Sequence, residues 1–233
     1  MSIFKFKQFE VNQTGCAMKI NTDGVLLGAT VNHPAPKNIL DIGTGTGVIA
    51  LMLAQRFPDA NVHAVEIDGQ AAETAGKNFE FSAFSNRLTV SHIAIEQFEC
   101  KQKFDLIISN PPFFVNDLKN EEIRKGIARH ADEDFFAVLI EKAAHLLNDT
   151  GMIWLILPIK QADEVIVIAA QYGLSLTERV NIHSDKNKPT FRQIICLKKG
   201  EMILNERHFY IYQSLKAHTA EYKLLLKDFF LAY

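Results

Sequence analysis

From residue 38 onward, short apolar β-rich runs alternate with longer stretches of helical period, and few folds accommodate that alternation. Runs at 38–42, 61–67, 87–93, 104–109 and 152–157 read as strands, and 47–57, 70–81, 132–147 and 161–172 read as helices. Strands joined through covering helices run parallel, which places helices on both faces of one sheet. The helix at 132–147 is the clearest, with Phe135, Phe136, Leu139, Ile140, Ala143 and Leu147 near helical spacing behind an acidic first turn. The last two runs, 174–181 and 190–198, depart from this order. Their polar link, 182–189, is too short for a crossover and requires an antiparallel hairpin. The expectation is a seven-stranded, mostly parallel α/β sheet with a terminal antiparallel hairpin.

Residues 37–199 make up this core, flanked by extensions at 1–36 and 200–233. In the second extension, Leu224, Leu225 and Phe229 predict a helix over 220–231. No stretch is rich enough in Gly, Ser or Pro to act as a linker, so residues 1–233 are expected to form one domain. At 233 residues, 48% hydrophobic, the chain can build a core without disulfides or structural metal. Cys16, Cys100 and Cys196 are odd in number and far apart, which favours a reducing cytoplasm over a disulfide framework or a metal pair. None of the eight histidines shows metal spacing, so no metal is expected. The alternating apolar and basic residues at 1–7 do not form a secretory signal, and the greasiest segment, 151–159, is too short to span a bilayer. No membrane association is expected.

The loop Asp41-Ile42-Gly43-Thr44-Gly45-Thr46-Gly47 follows a predicted strand and opens a helix. Glycines there let backbone pass close to a ligand, and a helix N-terminus offers N–H groups to an anion. A dinucleotide loop would require Gly or Ala at position 48, where Val48 stands, which disfavours a nicotinamide oxidoreductase. A carboxylate at Asp41 suits a ligand with an ammonium group, and S-adenosylmethionine carries one on its amino acid end. Glu66, about 20 residues on and at the end of the next strand, suits the two ribose hydroxyls of a nucleoside. Asp68 reads instead as a cap for the following helix.

Ser109-Asn110-Pro111-Pro112-Phe113-Phe114 follows the strand at 104–109, at the sheet edge where open α/β folds bind ligands. Two prolines remove backbone donors and stiffen the segment, leaving carbonyl oxygens presented outward. Asn110 adds a side-chain acceptor. Two converging acceptors can each take one N–H of a conjugated –NH₂ group, turning its lone pair toward an electrophilic methyl. Phe113 is placed to stack on a planar base.

The loop 41–47, Glu66 and Asn110-Pro111-Pro112-Phe113 together resemble the amino-methylating class I methyltransferases. The segment from Met18 through Lys19, Thr22, Asp23 and Gly24 to Gly28, with the C-terminal run to Phe229, resembles the bacterial valine-tRNA adenine-N6 methyltransferases, which modify the adenine 3′ of the anticodon. The resemblance implies a Rossmann-like fold and S-adenosylmethionine as cofactor. It implies a cofactor site of Asp41, Gly43, Thr44, Gly45, Gly47, Glu66, Ile67, Ala94 and Asn110, with Lys19, Thr22, Asp23 and Gly24 closing from the opposite side. Read from its residues alone, Asn21-Thr22-Asp23-Gly24 is a polar turn capping a helix. The usual acid after the strand at 87–93 is missing, so the backbone of Ala94 is expected to meet the cofactor's adenine.

Net charge is −2, yet by segment it runs +2 over 1–40, −4 over 41–105, −4 over 106–180 and +4 over 181–233. Basic ends suit an RNA face, and solvated surface charge explains the count equally well. Lys186, Lys188, Arg192, Lys198 and Lys199 surround the predicted hairpin, with Arg207, His208, Lys216 and Lys223 beyond. Arg124, Lys125 and Arg129 follow the catalytic segment and could grip flanking nucleotides of a tRNA. A single copy is expected to act alone. A protein glutamine methyltransferase or a guanine-modifying RNA enzyme would use the same Asn-Pro-Pro segment, and a cofactor-binding scaffold would bind without turnover. All three stay open at this point.

Overall fold

The computed structural model describes residues 3–16, 19–112 and 135–233. Its frame is an eight-stranded sheet. Along the chain lie β1 (Ile3–Lys5), β2 (Glu10–Asn12), α1 (Thr22–Thr30), β3 (Asn38–Ile42), α2 (Val48–Arg56), β4 (Asn61–Glu66), α3 (Gly69–Glu80), β5 (Leu88–His92) and β6 (Phe104–Ser109). Then follow α4 (Phe135–Leu146), β7 (Leu147–Leu157), α5 (Ile159–Ala170), β8 (Leu174–His183), β9 (Thr190–Lys199), β10 (Asn205–Tyr210), β11 (Tyr212–Ser214), β12 (Ala217–His218) and α6 (Ala220–Leu226). The sheet order is β10-β8-β9-β7-β6-β3-β4-β5, and β9 alone runs antiparallel to its neighbours. Seven strands therefore end at one edge of the sheet, the carboxyl edge, and β9 begins there.

The central strands form because they are apolar on both faces, as a helix-covered sheet requires. In β7, Trp154 and Ile156 join the core under α1 and α2, while Ile153, Leu155 and Leu157 join the core under α4 and α5. β9 repeats this with Ile194 and Cys196 against Ile195 and Leu197. The predicted strands and helices fall within about two residues of their places, with two exceptions. β7 begins at Leu147, five residues early, because buried Leu147 pairs with Phe104 and the strand continues irregularly through the polar 148–151. The predicted helix at 220–231 is helical only over Ala220–Leu226. The expected helix at 132–147 begins outside the described residues.

The expected seven-stranded sheet is corrected to eight by β10, drawn from the C-terminal extension and parallel to β8 from Asn205↔Glu178 to Tyr210↔His183. Both extensions pack on the core. Phe6, Phe9, Val11, Phe209, Tyr222 and Phe229 all belong to the cluster under α1 and α2. Lys7 N–H donates to Phe229 O at 2.8 Å, and its Nζ donates to the carbonyls of Lys227 and Tyr233. Among the described residues, no helix is long and apolar enough to cross a membrane, and no group of His, Cys, Asp and Glu could hold a metal ion.

Candidate active site

Asp41 is the last-but-one residue of β3 and fully buried. Its Oδ2 accepts from Thr44 Oγ1 at 2.6 Å and from the Ala50 N–H of α2 at 3.1 Å, so one carboxylate oxygen sets the turn between strand and helix. The other, Oδ1, is buried without a partner. Burial, with Glu66 adding to it, pushes the Asp41 carboxyl up to about 7 against the ordering pull of Thr44 and Ala50.

The loop adopts left-handed backbone at Gly43, Gly45 and Gly47, with φ of 71°, 59° and 86°. Gly47 is required twice over, because a Cβ there would lie 2.5 Å from the Phe79 ring. A Cβ at Gly45 would meet nothing within 4 Å, so that side of the loop faces open space. Three of the loop amides are engaged within the protein. Gly43 and Thr44 N–H donate to Val65 O at 2.9 and 3.2 Å, and Gly45 N–H donates to Glu66 Oε2 at 2.8 Å. The loop is thus a rigid wall tied to β4, with only 6% of Glu66 exposed at its foot. Glu66 Oε1 accepts from Asp68 N–H at 2.9 Å, and each carboxylate oxygen keeps further acceptor capacity. Asp68 caps α3 as expected, accepting from Ala71 N–H at 2.8 Å.

Ile67 beside Glu66 is 58% exposed, an apolar shelf at the carboxyl edge. Ala94 follows β5, the neighbouring strand, half-buried, with its carbonyl accepting from Gln97 N–H at 3.0 Å. Ser109 Oγ donates to Ile42 O at 2.8 Å, fastening the end of β6 to the start of the glycine loop. That bond fixes where Asn110 emerges. Asn110 is half-buried, its amide has no hydrogen-bond partner among the described residues, and it is followed by buried Pro111 and exposed Pro112.

Asn110 sits against the N-terminus of α1, since a Cβ on Gly24 would lie 3.5 Å from Asn110 Nδ2. Asn21 caps that helix, its Oδ1 accepting from Gly24 N–H at 2.9 Å. Lys19 and Thr22 are exposed beside it. Asp23 faces β9 and takes Arg192, whose Nε donates to Asp23 Oδ2 at 2.7 Å, with the pair only partly exposed. Two residues read separately from the sequence thus meet, and no local signal joins positions 169 apart. Phe191, 38% exposed under the Arg192 guanidinium, is a further aromatic near the site that sequence reading missed.

The cations around the hairpin divide. Lys186 and Lys188 lie exposed in the β8–β9 loop at the carboxyl edge, and Arg192 follows them. Lys198 and Lys199 end the ten-residue β9 at the opposite edge, about 20 Å or more away. Lys199 Nζ pairs there with Asp149 at 2.9 Å. Phe113, Arg124, Lys125 and Arg129 lie outside the described residues.

The donor set fits S-adenosylmethionine. A buried, partnerless Asp41 oxygen suits its ammonium, Glu66 its ribose, Ile67 its adenine ring, and the open flank of Gly45 leaves room for the ligand. Fold and site together define a class I methyltransferase. Comparison narrows the class. The methyltransferase small domain model matches residues 15–173. The tRNA1(Val) (adenine(37)-N6)-methyltransferase of Pedobacter heparinus is 57% identical, covering 99% of this chain and 98% of its own length. The Trichodesmium erythraeum protein of the same name is 40% identical over 99% and 98%. The chain belongs to the family of tRNA1(Val) (adenine(37)-N6)-methyltransferases. Among solved structures, Agrobacterium tumefaciens Atu636, described as a predicted O-methyltransferase, matches with a TM-score of 0.71 at 22% identity over 89% of this chain and 96% of its own, a likeness of fold.

Proposed function

We propose that this protein transfers the methyl group of S-adenosylmethionine to the exocyclic N6 amine of adenine 37 in valine tRNA. The observation that carries the reading is Asn110 emerging beside the glycine loop, in a chain 57% identical along nearly its whole length to a relative named for that reaction. Asp41, Glu66, Ile67 and Ala94 hold the cofactor with Gly43, Thr44, Gly45 and Gly47, and Lys19 with Thr22, Asp23 and Gly24 of the first turn of α1 close over it.

S-adenosylmethionine supplies an electrophilic methyl on a sulfonium. The Asn110 side-chain oxygen and a carbonyl of the Asn110-Pro111-Pro112 segment each accept one N–H of the adenine amine, which rehybridises and gains a usable lone pair. With the cofactor bound, its methyl would pass to that nitrogen, a nitrogen–carbon bond forming as the carbon–sulfur bond breaks, with sulfur keeping the electron pair and the surplus proton leaving for water. This amine is a poor base, so positioning and acceptance of growing positive charge dominate over prior deprotonation. Phe113 stacks on the target base. The base lies in a loop, where splaying it out is cheap. Arg124, Lys125, Arg129 and the lysines of the carboxyl edge contact phosphates. A cytoplasmic location and a monomeric state accompany this reading.

The test incubates protein with labelled S-adenosylmethionine and bulk tRNA from a strain lacking the enzyme, then maps the product nucleoside by mass spectrometry. N6-methyladenosine at position 37 of valine tRNA is expected. Label on guanine, or on a protein glutamine, would overturn the substrate assignment.

A further inference from the structure

β8 and β10 finish at the carboxyl edge with two imidazoles in contact. His183 Nδ1 lies 2.9 Å from Lys188 O, and His183 Nε2 lies 2.8 Å from His208 Nδ1 and 3.2 Å from Thr190 Oγ1. A carbonyl can only accept, so His183 Nδ1 carries a hydrogen, and the Nε2 of a neutral His183 is an acceptor. His208 Nδ1 must then donate to it. The outward atom of the exposed His208, Nε2, is left as the one place in this pair where a further proton can go without breaking a bond.

The surroundings favour an anion there. Lys186 and Lys188 are exposed on the adjoining loop, with no ion-pair partner among the described residues. Asp185 and Glu206 lie on the same elements, and their charge is outweighed by Lys186, Lys188 and Arg179. Asp185 Oδ1 accepts from Asn187 N–H at 2.9 Å, and Glu206 Oε1 accepts from Asn181 Nδ2 at 2.6 Å and lies 3.9 Å from Arg179. Tyr210 stacks on His183 with ring centroids 4.8 Å apart. Four strand spacings separate the β10 row from the β6 row that ends at Asn110, about 19 Å. At about 3.4 Å per stacked nucleotide, this corresponds to five or six residues of one RNA strand.

We propose that His208, with Lys186 and Lys188, forms a phosphate-binding site for the RNA strand flanking the target nucleotide, and that RNA binding there takes up one proton. The site rests on the reading of tRNA as substrate. His183 is the positioning residue, holding the His208 ring so that Nε2 faces outward. Protonated His208 donates to a phosphate oxygen, and neutral His208 presents a lone pair to it.

The test measures tRNA affinity from pH 6 to pH 8.5 for the wild type, His208→Gln and Lys188→Ala, with circular dichroism to confirm folding of each. Wild-type Kd is expected to tighten about threefold to tenfold as pH falls from 8 to 6. Gln keeps an N–H for His183 but takes no proton, so His208→Gln should lose that pH-dependent gain. Lys188→Ala, in an exposed loop, should reduce the slope of log affinity against log salt by about 0.7 to 0.9. Superimposable pH curves for wild type and His208→Gln, or an unchanged salt slope in Lys188→Ala, would refute the site while tRNA methylation by the wild type stands. A wild type that methylates no tRNA would overturn the functional reading and the site with it.

Discussion

In the proposed mechanism Asn110 and Asp41 carry the two halves of the chemistry, and each has its own signature. Asn110→Ala removes the acceptor that orients the amine while leaving the glycine loop intact. Turnover is expected to fall by about 100-fold or more, with S-adenosylmethionine affinity by calorimetry within about twofold of wild type. For Asp41, the folded carboxyl near 7 stands above its unfolded value near 3.9, so the folded state holds the proton more tightly. The stabilisation is therefore fully present below about pH 4 and is lost as pH rises through about 7, by up to about 4 kcal/mol. Thermal melts of the cofactor-free protein should show that decline, and Asp41→Asn should flatten it. Both residues were legible in the sequence, because a strand, a glycine loop and an Asn-Pro-Pro segment each announce their place at the sheet edge. The partnerless Asp41 oxygen was not, since which oxygen bonds Thr44 and Ala50 depends on the turn itself.

At the scale of elements, the Asp23–Arg192 pair ties the first turn of α1, against which Asn110 sits, to the start of β9. Arg192→Ala should lower kcat several-fold, because α1 loses its anchor beside the reacting group. A pure phosphate contact would instead raise KM for tRNA and leave kcat alone. Gly47→Ala combines left-handed backbone with a Cβ against Phe79 and is expected to destabilise the fold by about 2–4 kcal/mol, read from denaturant melts. The central strands were readable because burial on both faces makes them continuous apolar runs. β10 was not, because Asn205-Glu206-Arg207-His208-Phe209-Tyr210 buries only Phe209 and carries the charge of an edge strand. The early start of β7 was hidden for a related reason: 148–151 reads as a turn, and pairing with β6 overrides it.

Across the whole molecule, both chain extensions close the core beneath α1 and α2. Phe229 is 2% exposed within that cluster, and its carbonyl receives the Lys7 N–H. Phe229→Ala should cost about 3–5 kcal/mol and lower Tm by about 6–20 °C, an effect on stability transmitted to the N-terminal hairpin that packs on it. The same organisation gathers the glycine loop, Glu66, Asn110, the α1 cap and the β8–β9 loop along one edge, so that cofactor, target amine and RNA strand can be served side by side. The most direct measurement of that arrangement is a crystal structure with S-adenosylmethionine and an adenine nucleoside bound. The amine nitrogen should lie about 3 Å from the Asn110 side-chain oxygen and about 3–3.5 Å from the sulfonium methyl, placing that carbon within about 5 Å of Asn110. A methyl group lying well beyond that distance, or an amine approached from a part of the sheet away from Asn110, would contradict the account.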